Sequence, residues 1–174
     1  MINTRILQYF SLVRYKAIKK ILNNNFKLIL DMEDSAQNLF SRKKTVFLKK
    51  KCREGIEYLT HQKINLKEDF LRINGIKSAY FSKDVKTIKN CQKKGFKIKA
   101  IFLPKTESYK EIKYVNKNLK IKIIPIIETL RGYNNLSKIL QSDKKNLIYG
   151  VHYGHFDYCL DKKIWPFPEP YHEE

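Results

Sequence analysis

Four places in this sequence put a charged side chain at or near the end of a short apolar run. Asp31-Met32-Glu33-Asp34 sets three acids within four residues, directly after the apolar run 26–30. Such a cluster repels itself unless a cation or hydrogen-bond donors offset the charge. Capping of a following helix by Asp34 or Ser35 is the plainer reading. Arg72 lies inside Leu-Arg-Ile-Asn-Gly. Its planar fork suits a carboxylate, which is either a ligand's or one of the acids just named. Glu128 follows Ile-Ile-Pro-Ile-Ile. A carboxylate there suits a hard divalent cation, and a solvated acid or a helix cap is the alternative. Asp157 closes Gly154-His155-Phe156-Asp157. His152, His155 and Asp157 offer a transition-metal reading. Continued strand geometry would send His152 and Asp157 to opposite faces, which weakens it.

Positioning these groups requires a repeating frame, and apolar runs alternate with mixed, helix-spaced stretches. Strands are expected at 6–12, 26–30, 70–74, 98–103, 121–127 and 147–151, the last extending toward Tyr153. Helices are expected at 15–22, 42–59, 82–93, 108–118 and 132–140. The runs are apolar throughout rather than alternating, as in parallel strands covered on both faces. Alternation of this kind argues an α/β fold with its active-site groups at the C-terminal strand ends. No Gly-rich phosphate loop follows the first strand, so dinucleotide binding is not supported.

The 174 residues are 43% hydrophobic with few glycines and prolines, which reads as one globular domain, 1–174. The net charge is +19. A surplus of that size raises a nucleic-acid reading, but the lysines are spread along the chain with only short runs such as Lys49-Lys50-Lys51. Cys52, Cys91 and Cys159 are odd in number and widely spaced, with no CxxC pair. Reduced thiols in a cytoplasmic protein are the simplest expectation. No run approaches the ~20 apolar residues of a membrane span.

Taken in order, the motifs resemble the HpcH/HpaI aldolase / citrate lyase beta-subunit family. Leu30-Asp31-Met32-Glu33-Asp34-Ser35 resembles its LDLEDSV segment, and Leu71-Arg72-Ile73-Asn74-Gly75 its VRVNG segment. Asp84-Val85 fits the acid that opens the next helix. Leu103-Pro104-Lys105-Thr106-Glu107-Ser108 is similar to LPKVES. Ile127-Glu128-Thr129 with Gly132 is similar to IETxxG, and Gly154-His155-Phe156-Asp157-Tyr158 to GxxDL. Together they cover about residues 26–161.

The resemblance implies a Mg²⁺-dependent carbon–carbon lyase or aldolase. Its substrates would be malyl, citramalyl or citryl thioesters, with coenzyme A as part of the substrate, or 2-keto acid aldols. Glu128 and Asp157 fall on the family's metal ligands. Arg72, Glu33 and Asp34 fall on its catalytic groups, and Arg72, Asn74 and Lys105 on substrate-binding positions. A closed barrel has eight strands and typically ~250 residues. The expected architecture is therefore an α/β, TIM-type (β/α) barrel incomplete at the C-terminus, with about six of eight βα units. Exposed apolar edges in such a barrel argue for a homo-oligomer. The opening strand, Tyr9-Phe10-Ser11-Leu12, lacks the family's proline-containing start. Two other readings stay open: a truncated, catalytically silent relative acting as a subunit or remnant, and a basic nucleic-acid-binding protein.

Overall fold

The computed structural model describes residues 7–22 and 27–166. Ile6 and Phe26, placed in the first two expected strands, lie outside the described residues. Strand and helix alternate along the chain: β1 (Leu7–Ser11), β2 (Lys27–Asp31), α1 (Arg42–His61), β3 (Phe70–Arg72), α2 (Phe81–Gln92), β4 (Ala100–Leu103), α3 (Tyr109–Leu119), β5 (Lys122–Ile127), α4 (Leu130–Gln141), β6 (His152–Tyr153) and α5 (His155–Lys162). A 3₁₀ segment, Leu12–Lys20, replaces the first expected helix. The strands pair in sequence order, β1-β2-β3-β4-β5-β6, and every pairing is parallel. This is the expected incomplete (β/α) barrel, a curled half-barrel of six strands.

Two apolar layers hold it. Leu28, Leu30, Leu71, Ile73, Ile101, Leu103, Ile123 and Ile127 pack outward among Ile56, Leu59, Ile88, Ile112, Val115 and Ile139 of the helices. Ile29, Phe70, Ala100, Phe102, Ile124 and Ile126 form a second cluster on the concave face. Side chains alternate across a strand, so the run-on apolar character of these segments reflects burial on both faces. Curvature shows in contacts between distant strands. Phe102 of β4 lies 6.5 Å from Tyr9 of β1 and 5.6 Å from His152 of β6, ring centre to ring centre.

Helix ends follow local chemistry. Ser41 Oγ caps α1 through the Lys44 N–H, and Thr129 Oγ1 caps α4 through the Gly132 N–H. Ser108 and Glu111 form a capping box at the start of α3.

The sixth strand differs from expectation. Residues 147–149 pair with the sheet through the isolated bridge Ile123–Ile148, and the regular pairing comes later, at His152–Tyr153. Asp143 draws the Leu147 and Ile148 N–H groups into its own carboxylate, at 2.8 and 3.0 Å, so they are not ladder donors. Residues 155–157 are helical rather than strand-like.

Phe102 is 2% exposed and bridges the concave layer. Phe102→Ala is expected to cost about 3–5 kcal/mol in urea unfolding. Phe40→Ser, at a 96% exposed site, should change stability by less than about 0.5 kcal/mol.

Candidate active site

Asp31 ends β2 and Arg72 ends β3, and the two are partners in the sheet register. Both point to the concave face. The Arg72 fork closes on Asp31 with Nε to Oδ1 at 2.8 Å and Nη2 to Oδ2 at 2.7 Å. Its third nitrogen, Nη1, reaches Asp34 at 2.9 Å and Glu33 at 3.3 Å. The guanidinium also stacks 4.7 Å above the Tyr9 ring. The ion-pair alternative for Arg72 is thus present. Any substrate carboxylate meets a guanidinium already shared by three acids.

Asp31 caps its own loop as well, accepting the Glu33 N–H at 2.9 Å and the Ser35 N–H at 3.0 Å. Burial alone would raise the Asp31 carboxyl, but Arg72 and these amides hold it below the usual range. Glu33 shows the opposite balance. Burial, and then the charge of Asp34 working against Arg72, push it up to about 8.

Glu128 follows β5 and is 7% exposed. Its Oε1 accepts the Lys105 N–H at 2.9 Å. Lys105 adopts a left-handed backbone, φ 53°, a conformation that costs a non-glycine residue on the order of 1 kcal/mol. That turn aims its N–H at Glu128 while its ammonium pairs with Asp157 at 3.0 Å. One lysine therefore touches both expected metal ligands. Burial, and then the charge of Asp157, push Glu128 up to about 7. Gly154 lies so close that a Cβ there would sit 2.6 Å from Glu128 Oε2. Asp157 stands in the first turn of α5, where the helix dipole favours a negative charge.

Asn74 and the histidines are engaged within the protein. The Asn74 side chain is 3% exposed and turned inward. Its amide nitrogen donates to Met32 O and Asp84 Oδ2, and its oxygen accepts from Lys49. The transition-metal set is not assembled. His152 packs edge-on against Phe102, His155 contacts Pro166 O, and among the described residues no three His, Cys, Asp or Glu side chains form a ligand group. Glu128 and Asp157 supply only carboxylate oxygens. That donor set fits a hard cation that keeps most of its positions for water or substrate. Glu33 and Glu128 are raised by burial first and by neighbouring carboxylates second.

Sequence reasoning left open which acid of the cluster pairs with Arg72, which is Asp31, and it missed Lys49. Lys49 is 1% exposed on the inner stripe of α1 with Cys52, Ile56 and Leu59. The i, i+3, i+7, i+10 spacing was a readable signal. A cavity of about 360 Å³ adjoins the site, walled by Glu33, Lys49, Ile76, Tyr80, Pro104 and Lys105 among others.

No protein-family profile matches the sequence, and no curated protein matches it. Solved structures do. A citrate lyase beta subunit from Mycobacterium tuberculosis, complexed with oxaloacetate and magnesium, has a TM-score of 0.70 at 19% identity over 91% of this chain and 61% of that one. RipC from Yersinia pestis has 0.69 at 22% identity over 97% of this chain and 66% of that one. A citrate lyase from Burkholderia xenovorans has 0.66 at 15% identity over 90% and 50% respectively. The chain thus spans between half and two-thirds of the length of these structures. What it shares with them at such identities is the fold, and two of the three are citrate lyases, the group its motifs resemble.

The acid cluster has a pH signature. Glu33 and Glu128 ordinarily titrate near 4.5 and are pushed up to about 8 and about 7 in the folded chain. Between those limits the native state holds more protons than the unfolded one, so these groups make stability fall as pH rises. In chelator, Glu33→Gln should exceed the parent in Tm at pH 8, and the difference should vanish near pH 4.5. Equal Tm at pH 8 would contradict the buried-acid assignment.

Proposed function

We propose that this chain is a Mg²⁺-dependent carbon–carbon lyase or aldolase of the citrate lyase beta-subunit kind. Its substrate would carry a carboxylate beside the reacting carbonyl: a malyl, citramalyl or citryl thioester, with coenzyme A as part of it, or a 2-keto acid aldol. The carrying observation is the meeting of Glu128 and Asp157 through Lys105, beside Glu33 and Arg72, at the C-terminal strand ends of a half-barrel. Neighbouring structures with this fold hold magnesium with acetoacetate, oxaloacetate or coenzyme A, which supports the choice of cofactor and substrate class.

Glu128 and Asp157 would hold the cation, with Lys105 released from Asp157. A bound divalent ion supplies charge stabilisation for the enolate oxygen that forms as the carbon–carbon bond breaks. Arg72 would add a fixed positive charge beside Glu33. Clamped on two nitrogens by Asp31, it presents Nη1 toward the site and orients the substrate carboxylate there. Glu33, pushed up to about 8, would be suited to exchange a proton with the reacting fragment near neutral pH. Asp34, 60% exposed, shares Nη1 and adjusts the field at the rim.

Glu128→Gln and Asp157→Asn should each abolish the Tm increase that Mg²⁺ gives the parent. If both respond as the parent does, the ligand assignment is wrong. In a Mg²⁺-dependent retro-aldol screen, Arg72→Lys keeps the charge but loses the fork. Its KM for the carboxylate substrate should rise about tenfold, equivalent to about 1.4 kcal/mol. Mg²⁺ binding without turnover on any of these substrates would favour the catalytically silent relative instead.

A further inference from the structure

Lys49 is a lysine held almost entirely out of solvent, 1% exposed. Its ammonium donates to Met32 O at 3.0 Å, Glu33 O at 2.6 Å and Asn74 Oδ1 at 2.6 Å. Three donors meet three acceptors, so the group has no N–H left over. It stays charged and is not available as a nucleophile toward a carbonyl in the adjoining cavity, although burial lowers its affinity for the proton.

The charge is balanced through a relay rather than by direct contact. Asn74 passes the interaction to Asp84, with Nδ2 at 2.6 Å and its backbone N–H at 3.2 Å from Oδ2. Asp84 is fully buried and pairs with Arg53 at 3.1 Å. Lys49 and Arg53 lie one helical turn apart on α1, so a single helix face supplies both cations.

The acceptors are the informative part. Two of the three are main-chain carbonyls of the acid loop itself. Glu33 has φ −100° and ψ −101°, neither helical nor extended. From the other side, Asp31 takes the N–H groups of Glu33 and Ser35. The loop is pinned by an anion at its amides and by a cation at its carbonyls. With its backbone held at both faces, the Glu33 carboxylate is left to point at Arg72.

We propose that Lys49 is a positioning residue: by holding the Met32 and Glu33 carbonyls it sets Glu33 and Asp34 against the cation site, without touching cation or substrate. This rests on the metal-site reading given under the proposed function.

Lys49→Met and Arg53→Met separate positioning from plain support. Both remove a cation of the polar chain from α1, Lys49 buried and Arg53 half-buried, but only the first releases the loop. By amide hydrogen exchange, Lys49→Met should speed exchange at Glu33 and Ser35 by at least about tenfold, while β4 and β5 amides keep the parent's rates. Its Mg²⁺ Kd should weaken about tenfold. Arg53→Met should lower Tm yet leave both readouts at the parent's values. Lys49→Gln, which keeps two N–H donors on a shorter stem, gives the same test if the Met variant does not fold. Unchanged exchange at Glu33 and Ser35, or equal effects of the two Met variants, overturns the proposal. A parent that ignores Mg²⁺ overturns the metal-site reading instead, and the exchange data still decide whether Lys49 holds the loop.

Discussion

The site hangs on one ion pair, the two-pronged contact between Arg72 and Asp31 on neighbouring parallel strands. The pair is possible because the register sets residue 31 opposite residue 72 on the concave face. A slip of one residue in either strand would turn that strand's member of the pair into the helix layer and leave the other without its partner. Once formed, the pair organises the rest. Asp31 spends its remaining lone pairs on the following loop, and Arg72 spends its third nitrogen on Asp34 and Glu33. Buried ion pairs often add little net stability because desolvation offsets the attraction. The value of this one lies in placement. It converts strand register into the position of three carboxylates.

A second anchor acts from the far side of the same loop. Lys49, Asn74, Asp84 and Arg53 form a buried polar chain in which no side-chain nitrogen or oxygen among the described residues is left unsatisfied. Such a chain is costly if broken and rigid if complete. Its location under the acid loop, rather than elsewhere in the helix layer, connects the packing of α1 and α2 to the geometry of the strand ends. Lys105 plays a comparable part between β4 and β5, tying Glu128 by its backbone and Asp157 by its side chain.

Most of the frame was legible in the sequence because each strand is an apolar run and most helices start at a recognisable cap. Positions 33, 34, 72, 128 and 157 stood out as candidates because each interrupts or closely follows such a run. Their partners were less so. Sequence order cannot tell whether Arg72 faces a ligand or Asp31, since both are carboxylates, and only the register decides. Lys49 was hidden among its neighbours Lys43, Lys44, Lys50 and Lys51, where burial of one lysine shows only as a phase match with Cys52 and Ile56. Asn74 read as a binding group through the resemblance of its segment, and its bonds to Asp84 and Lys49 were not readable from that. The sixth strand was misplaced because Leu147 and Ile148 have strand character, while Asp143 captures their amides from four and five residues upstream.

A fold alone does not assign a reaction, and the citrate lyase-like half-barrel becomes an enzyme only if its carboxylates converge on a cation. A crystal of this chain soaked in Mn²⁺, examined by anomalous scattering, tests that convergence directly. The account predicts one strong peak lying within about 2.3 Å of oxygens from both Glu128 and Asp157, with Lys105 Nζ displaced from Asp157. A map with no peak there, or with manganese bound only on the outer surface, would contradict it.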